Sequence, residues 1–126
     1  MNKGTDTRPA VLLAEDDEDV RIVFEMILSE EYEVHAAETA AQAVQLASER
    51  AIDVVLLDWT LPDATGEEVV RQLRSIDAAM PIVIVSGVSS VASLARKYDA
   101  FSCPKPCDAE QLLGAIEAAL ERRRRQ

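Results

Sequence analysis

Asp53-Val54-Val55-Leu56-Leu57-Asp58 is the stretch on which the architecture turns. Four consecutive aliphatic side chains stand between two carboxylates with no polar alternation, so a strand made of them must be covered on both faces. That is the pattern of a parallel sheet lying between two layers of helices. Ile82-Val83-Ile84-Val85 repeats it. On either side of these two runs, the strand candidates are Ala10–Ala14, Glu33–Ala36, Asp53–Leu57, Ile82–Val85 and a weaker Phe101–Cys103. The segments between them carry apolar residues at the helical period. Val20, Val23, Phe24, Ile27 and Leu28 form one stripe, and Ala40, Ala43, Val44 and Ala47 the next. Val69, Leu73 and Ile76 follow, then Val91, Leu94, Ala95 and Tyr98, and last Leu112, Leu113, Ile116, Ala119 and Leu120. Thr39 with Gln42, and Asp108 with Gln111, have the spacing of capping boxes. Strands alternating with helices and joined by right-handed crossovers give an α/β fold, a three-layer (βα)5 sandwich.

The 126 residues make one domain by size. Aromatic residues are only 4% of the chain, so aliphatic side chains must fill the core. The net charge of −10 repels nucleic acid and anionic membrane, which argues against direct binding to either. No apolar run approaches the ~20 residues that span a bilayer, and residues 1–9 lack the apolar stretch of a signal peptide. The cytoplasm is the expected location. Residues 1–8 read as a disordered N-terminal tail, 9–122 as the folded domain and 123–126 as an arginine-rich C-terminal tail.

Polar groups end four of the strand candidates: Glu15-Asp16-Asp17, Asp58, Ser86 and Lys105. Singly, each has an ordinary explanation as a cap, a turn residue or a solvated charge. On successive strand ends they line one crevice, where ligands bind in open α/β sheets. Acids gathered there repel one another unless a divalent cation or a lysine compensates. Chemistry alone leaves open which two of Glu15, Asp16 and Asp17 face that crevice.

The segments VLLAEDDEDVR (11–21), VVLLDWTLPDATG (54–66), IVIVSG (82–87) and KP (105–106) resemble the receiver domain of two-component response regulators, across essentially the whole chain. The resemblance implies a flavodoxin-like sheet of order 2-1-3-4-5, which puts the fifth strand at an edge, where Pro104 and Pro106 are tolerated. It implies that Asp58 accepts a phosphoryl group from a sensor histidine kinase or a histidine phosphotransfer protein. Asp16, Asp58 and the Thr60 backbone carbonyl would ligate Mg²⁺, with Glu15 holding a coordinated water and Asp17 at the rim. Lys105 would neutralise the phosphoryl oxygens, and the Ser86 hydroxyl would bond to them. A cis Lys105–Pro106 bond is also implied. These residue types suit that chemistry, since Mg²⁺ takes hard oxygens, and phosphoryl transfer needs positioning and cations more than covalent help.

Two departures stand out. Ser102 occupies the place of the family's switch aromatic, with Phe101 beside it as a substitute if the strand bulges. The span from Ser86 to Lys105 is short, which should shorten the fourth helix. The expected function is a phosphorylatable signalling domain, not an enzyme, acting through a separate downstream protein with no output domain of its own. The alternatives are a receiver fragment of a larger regulator or hybrid kinase, and a Mg²⁺-dependent aspartyl-phosphate phosphatase. The phosphatase would want a second Asp where Thr60 stands. Cys103 and Cys107 straddle two prolines and read as packed or surface thiols. His35 reads as a surface residue, and Trp59 as a half-exposed reporter of the site.

Overall fold

The computed structural model describes residues 7–125, and strands and helices alternate through it. They are β1 (Ala10–Ala14), α1 (Glu18–Leu28), β2 (Glu33–Ala37), α2 (Ala40–Glu49) and β3 (Val54–Asp58). α3 (Gly66–Ile76), β4 (Ile82–Ser86), α4 (Val91–Lys97), β5 (Phe101–Pro104) and α5 (Ala109–Arg124) complete the order. The strands form one sheet in the order β2-β1-β3-β4-β5, with parallel neighbours throughout. The three-layer sandwich and the strand order expected from the sequence are both present.

Alternation along each strand sorts the aliphatic residues onto the two faces. Leu12, Val55, Leu57, Ile82 and Ile84 pack with Ala43, Val69 and Leu73 from α2 and α3. Val11, Leu13, Leu56, Val83 and Val85 pack with Phe24, Leu28, Leu112 and Ile116 from α1 and α5. This is why the central strands read as unbroken apolar runs: each residue has a covered side to face, worth roughly 1.5–3 kcal/mol per fully buried aliphatic side chain.

β2, β3, β4 and β5 each extend one residue past the apolar run, to Ala37, Asp58, Ser86 and Pro104. The polar residues at those ends remain in or beside the ladder. The Trp59 amide donates to the Val85 carbonyl at 3.1 Å and the Lys105 amide to the Ser86 carbonyl at 2.9 Å. Asp58 and Ser86 are therefore held on the sheet itself.

Asp108 and Gln111 form the expected reciprocal capping box. At α2 the Thr39 hydroxyl accepts from the Gln42 amide, but Gln42 reaches back to the amide of Glu38, not Thr39. α4 has only seven residues, as the short span predicted. The α1 stripe is narrower than its sequence, since Val23 is 51% exposed while Phe24 and Leu28 are buried.

Residues 1–6 of the expected N-terminal tail lie outside the described residues. Arg8 donates to the Ser29 carbonyl at 3.1 Å. The arginines assigned to a C-terminal tail belong to α5 as far as Arg124. Arg123 pairs with Asp77 at 2.7 Å and Arg122 with Asp99 at 2.6 Å, so carboxylates on the loops before β4 and β5 extend the helix past its apolar stripe. His35 is not a surface side chain: period 2 sets it beside Glu33, whose carboxylate it meets at 2.6 Å, and the imidazole is largely covered. Among the described residues no helix is long and apolar enough to cross a membrane.

Candidate functional site

At the carboxyl ends of β1, β3, β4 and β5 the sequence-predicted side chains come together. Glu15, Asp58 and Ser86 are 1%, 3% and 2% exposed, the buried polar residues among the described residues. Asp16 is exposed at the rim, yet one carboxylate oxygen each from Glu15, Asp16 and Asp58 lies within 4.8 Å of the others. The Lys105 ammonium reaches in from the loop after β5, with Nζ 3.3 Å from Glu15 Oε1 and 3.6 Å from Asp58 Oδ1.

The backbone explains the division among the three acids. The Glu15 amide continues the β1–β2 ladder by donating to the Ala37 carbonyl at 3.0 Å, which keeps this residue inside. Asp17 caps α1 by accepting from the Val20 amide, and its own amide donates to Glu15 Oε2 at 3.2 Å. Arg21 ties the turn down by donating to the Glu15 carbonyl at 3.0 Å. Glu15 and Asp16 face the crevice, and Asp17 serves the helix.

Asp58 Oδ1 accepts from the Thr60 amide at 3.2 Å and the Thr60 hydroxyl at 3.1 Å. Ser86 Oγ accepts from the Val88 amide at 3.2 Å, fixing the turn after β4. The Lys105–Pro106 bond is cis, as the resemblance implied.

The electrostatics follow from burial and crowding. Desolvation, a hydrogen bond shared with Asp58 and the Asp58 charge push the Glu15 carboxyl up to about 7. Burial pulls Asp58 the same way, but the bond from Glu15, the Thr60 donors and Lys105 outweigh it and hold Asp58 below the ordinary carboxylate range. Of the two, Glu15 is the carboxyl that favours a proton and Asp58 the one that favours ionisation. Burial works against the charge on Lys105, and the two carboxylates more than restore it.

Glu15 Oε1 is buried and no donor makes a hydrogen bond to it; Lys105 supplies only charge at 3.3 Å. An orphaned carboxylate oxygen beside two further carboxylates is the donor set a hard divalent cation takes.

The family model for the response regulator receiver domain matches residues 11–117. The chain belongs to the response regulator receiver family. It is similar to the cell cycle response regulator CtrA of Brucella ovis, with 32% identity over 116 residues, 89% of this chain and 50% of that relative. The chain spans about half the length of the curated relatives it matches. Among solved structures it resembles a CheY-like receiver domain protein from Methanospirillum hungatei, with 25% identity, a TM-score of 0.85, and coverage of 94% of this chain and 98% of that one. A response regulator receiver protein from Sinorhizobium medicae is 30% identical, with a TM-score of 0.82 and coverage of 93% and 98%. Receivers are signalling domains that accept phosphoryl groups and bind Mg²⁺ at an acidic pocket, and this receiver has such a pocket.

In this receiver Phe101 does not turn to the place of the missing aromatic. β5 pairs with β4 in unbroken register, Val83 with Phe101 and Ile84 with Ser102, so no bulge turns Phe101 around. Phe101 packs on the α1/α5 side with the Arg122 guanidinium 5.5 Å from its ring centre. The aromatic that packs against Trp59 is Tyr98, the C-cap of α4. Its ring lies 5.5 Å from that of Trp59, and its hydroxyl donates to Glu67 of α3 at 3.2 Å. Reading the sequence singled out Trp59 and missed this partner 39 positions on, because the loop before β5 alone brings Tyr98 back to β3.

Gly66 is the local signal for that packing. A Cβ at Gly66 would overlap the Trp59 ring. Gly66→Ala should therefore lower stability by about 1–3 kcal/mol despite Ala being the better helix former, and should shift Trp59 emission. Urea denaturation followed by fluorescence checks this; unchanged stability and emission would mean the ring does not rest there. Asp63 is a second residue that sequence reading passed over. Its carboxylate oxygens accept from the Ala40 and Ala41 amides at 2.8 and 3.0 Å, lashing the loop after β3 to the start of α2.

Proposed function

We propose that this receiver is phosphorylated on Asp58 in a Mg²⁺-dependent reaction, and that the donor is the phosphohistidine of a sensor kinase or a histidine phosphotransfer protein. The observation that carries the reading is the meeting of Glu15, Asp16, Asp58 and the Lys105 ammonium at one crevice. Glu15, Asp16 and Asp58 would hold the ion together with the Thr60 carbonyl, and the ion supplies charge against the equatorial phosphoryl oxygens. Asp58 is the nucleophile because its carboxyl is ionised and points into the crevice. Lys105 gives a second cation beside the Asp58 carboxylate. Once the phosphoryl group is attached, the Ser86 hydroxyl is free to turn from the Val88 amide toward its oxygens.

The donor protein has a surface to meet. Ile22, Val23 and Met26 are exposed apolar side chains on α1, and Val20, Val23, Phe24 and Pro106 line an open groove of about 500 Å³ leading to Lys105. The new charge at Asp58 would be felt by Trp59 and, through it, by Tyr98 and α4. That gives a downstream protein two states to distinguish. The acidic surface favours protein partners over nucleic acid or membrane, and a cytoplasmic location suits such traffic.

Incubation with acetyl phosphate and Mg²⁺ followed by intact mass tests this reading. One phosphoryl adduct that maps to Asp58 is expected; an adduct elsewhere, or none, would sink it.

Proton competition gives a second test. Glu15 keeps its proton in the metal-free fold up to about 7, whereas the unfolded chain releases it near 4.5. Its contribution to metal-free stability is therefore full below 4.5 and lost as the pH rises through about 7. Mg²⁺ must displace that proton, so its affinity should weaken as the pH falls from about 8 to about 6, with the proton released per ion bound rising toward one below about 7. Titration calorimetry in buffers of different ionisation enthalpy measures the release. Affinity independent of pH would show that Glu15 does not take part.

A further inference from the structure

The arginines that close α5 have no part in the phosphoryl site, and two of them return to the opposite end of the sheet. Beside the amino ends of β4 and β5, Arg74 of α3 joins Arg122 and Arg123 around one cavity of about 250 Å³. Its other walls are mostly apolar, with Met80 and Pro81 from the loop before β4, Phe101 at the start of β5 and Ala119 of α5. Asp99 is the one carboxylate that lines it. Three of the chain's 13 basic residues thus meet at a single hollow, in a protein whose net charge is −10.

Stapling α5 to the loops explains only part of this arrangement. Arg122 meets Asp99 at 2.6 Å and Arg123 meets Asp77 at 2.7 Å. Arg74 donates to the carbonyls of Tyr98, Met80 and Asp99, the last at 2.7 Å. Even with Asp77 counted, three guanidiniums face two carboxylates, and each guanidinium has five N–H donors to place. Arg123 Nη1 is buried and has no hydrogen-bond partner. The Phe101 ring centre lies 5.5 Å from the Arg122 guanidinium carbon, a cation–π contact that steadies the group without a carboxylate.

We infer that this cavity binds a phosphate monoester with a small apolar body. The dianionic head meets the guanidiniums of Arg74, Arg122 and Arg123, and the body lies against Met80, Pro81 and Phe101. A planar guanidinium fork matches phosphate oxygens two at a time, which an ammonium cannot do. Apolar walls with a few convergent polar groups are the make-up of a small-molecule site, and a volume just under the usual ~300 Å³ limits the body to about one ring. Asp99 sets the affinity. Its carboxylate already holds Arg122, so the ligand must displace it. The cavity lies at the other end of the strands from Asp58, and its occupation does not depend on that residue accepting a phosphoryl group.

Titration of the full chain with phenyl phosphate in the absence of Mg²⁺, followed by amide NMR and calorimetry, tests the site. Saturable binding with a Kd below about 1 mM is expected, with the perturbed amides gathered at Arg74, Ala79, Phe101 and Arg122. Inorganic phosphate, which lacks a body, should bind about tenfold more weakly, and uncharged benzyl alcohol should not saturate. Arg122→Gln should weaken phenyl phosphate about tenfold. Asp99→Asn should instead tighten it severalfold: Asn tolerates the left-handed backbone at this position, φ 52°, and the variant removes the competitor for Arg122. That gain decides the matter even if Arg122→Gln misfolds. No saturation, or perturbed amides gathered around Lys105, would overturn the site. Benzyl alcohol binding as well as phenyl phosphate would mean an apolar hollow that ignores charge. Inorganic phosphate binding as well would mean a surface counter-ion position with no use for the cavity. Either result overturns the proposal, as does an Asp99→Asn variant of unchanged or lower affinity.

Discussion

Asp58→Asn should take up no phosphoryl group from acetyl phosphate, and its Trp59 fluorescence should not respond to beryllofluoride and Mg²⁺. The amide keeps the shape of the carboxyl, so its oxygen can still accept from the Thr60 amide and hydroxyl, and the fold should survive. What it loses is the ionised oxygen that attacks phosphorus. It also relieves Glu15 of two causes that raise its carboxyl, the shared hydrogen bond and the Asp58 charge. Glu15 should then titrate below about 7, visible by carbon NMR of the side-chain carboxyl. The two effects separate chemistry from electrostatics. A variant still labelled by acetyl phosphate would move the acceptor to another residue. A Glu15 titration left where it was would mean burial alone sets it.

Lys105→Ala should slow phosphoryl uptake and weaken the Trp59 response by about a hundredfold in rate, the usual loss when one group stabilising transition-state charge is removed. Mg²⁺ affinity should not fall with it. Lys105 and the ion address the same carboxylates, Glu15 and Asp58, so removing the ammonium removes a competitor. Glu15 also loses a cation that lowers its carboxyl, so it should hold its proton to higher pH and the affinity should become more pH-dependent. Stopped-flow fluorescence and calorimetry on one preparation measure both quantities. An equal loss in uptake and in Mg²⁺ affinity would mean that Lys105 organises the acids instead of serving the phosphoryl group.

Both predictions concern residues that were legible in the sequence, and there is a reason. Asp58 and Lys105 are positioned by the ends of strands, and strand ends are written in local patterns: where Val54-Val55-Leu56-Leu57 stops, the sheet stops being apolar. The same holds for Glu15 after Ala10–Ala14 and for Ser86 after Ile82–Val85. Parallel strands in register bring all their carboxyl ends to one side of the sheet, so counting strands was enough to gather the site. Departures were legible as well. The short span before Lys105 gave a seven-residue α4.

Long-range pairing was not legible. Tyr98 meets Trp59, Asp63 holds the start of α2, and Arg123 finds Asp77 only because the chain returns to those places. Asp63 and Arg123 leave no periodic trace, and the helical stripe that holds Tyr98 does not name its partner, since each contact is a single side chain set by loop geometry.

Apolar runs and their period were sufficient for the layers, the strand ends and the gathering of the acidic cluster at 15–17 with Asp58, Ser86 and Lys105, because burial and periodicity act between near neighbours in the chain. It took the folded arrangement to raise the Glu15 carboxyl and lower that of Asp58. The same is true of Phe101 facing away from the site and of Tyr98 packing on Trp59. Each of those depends on distances between atoms far apart in the chain, fixed only when the sheet register and the loops after β3 and β5 are in place.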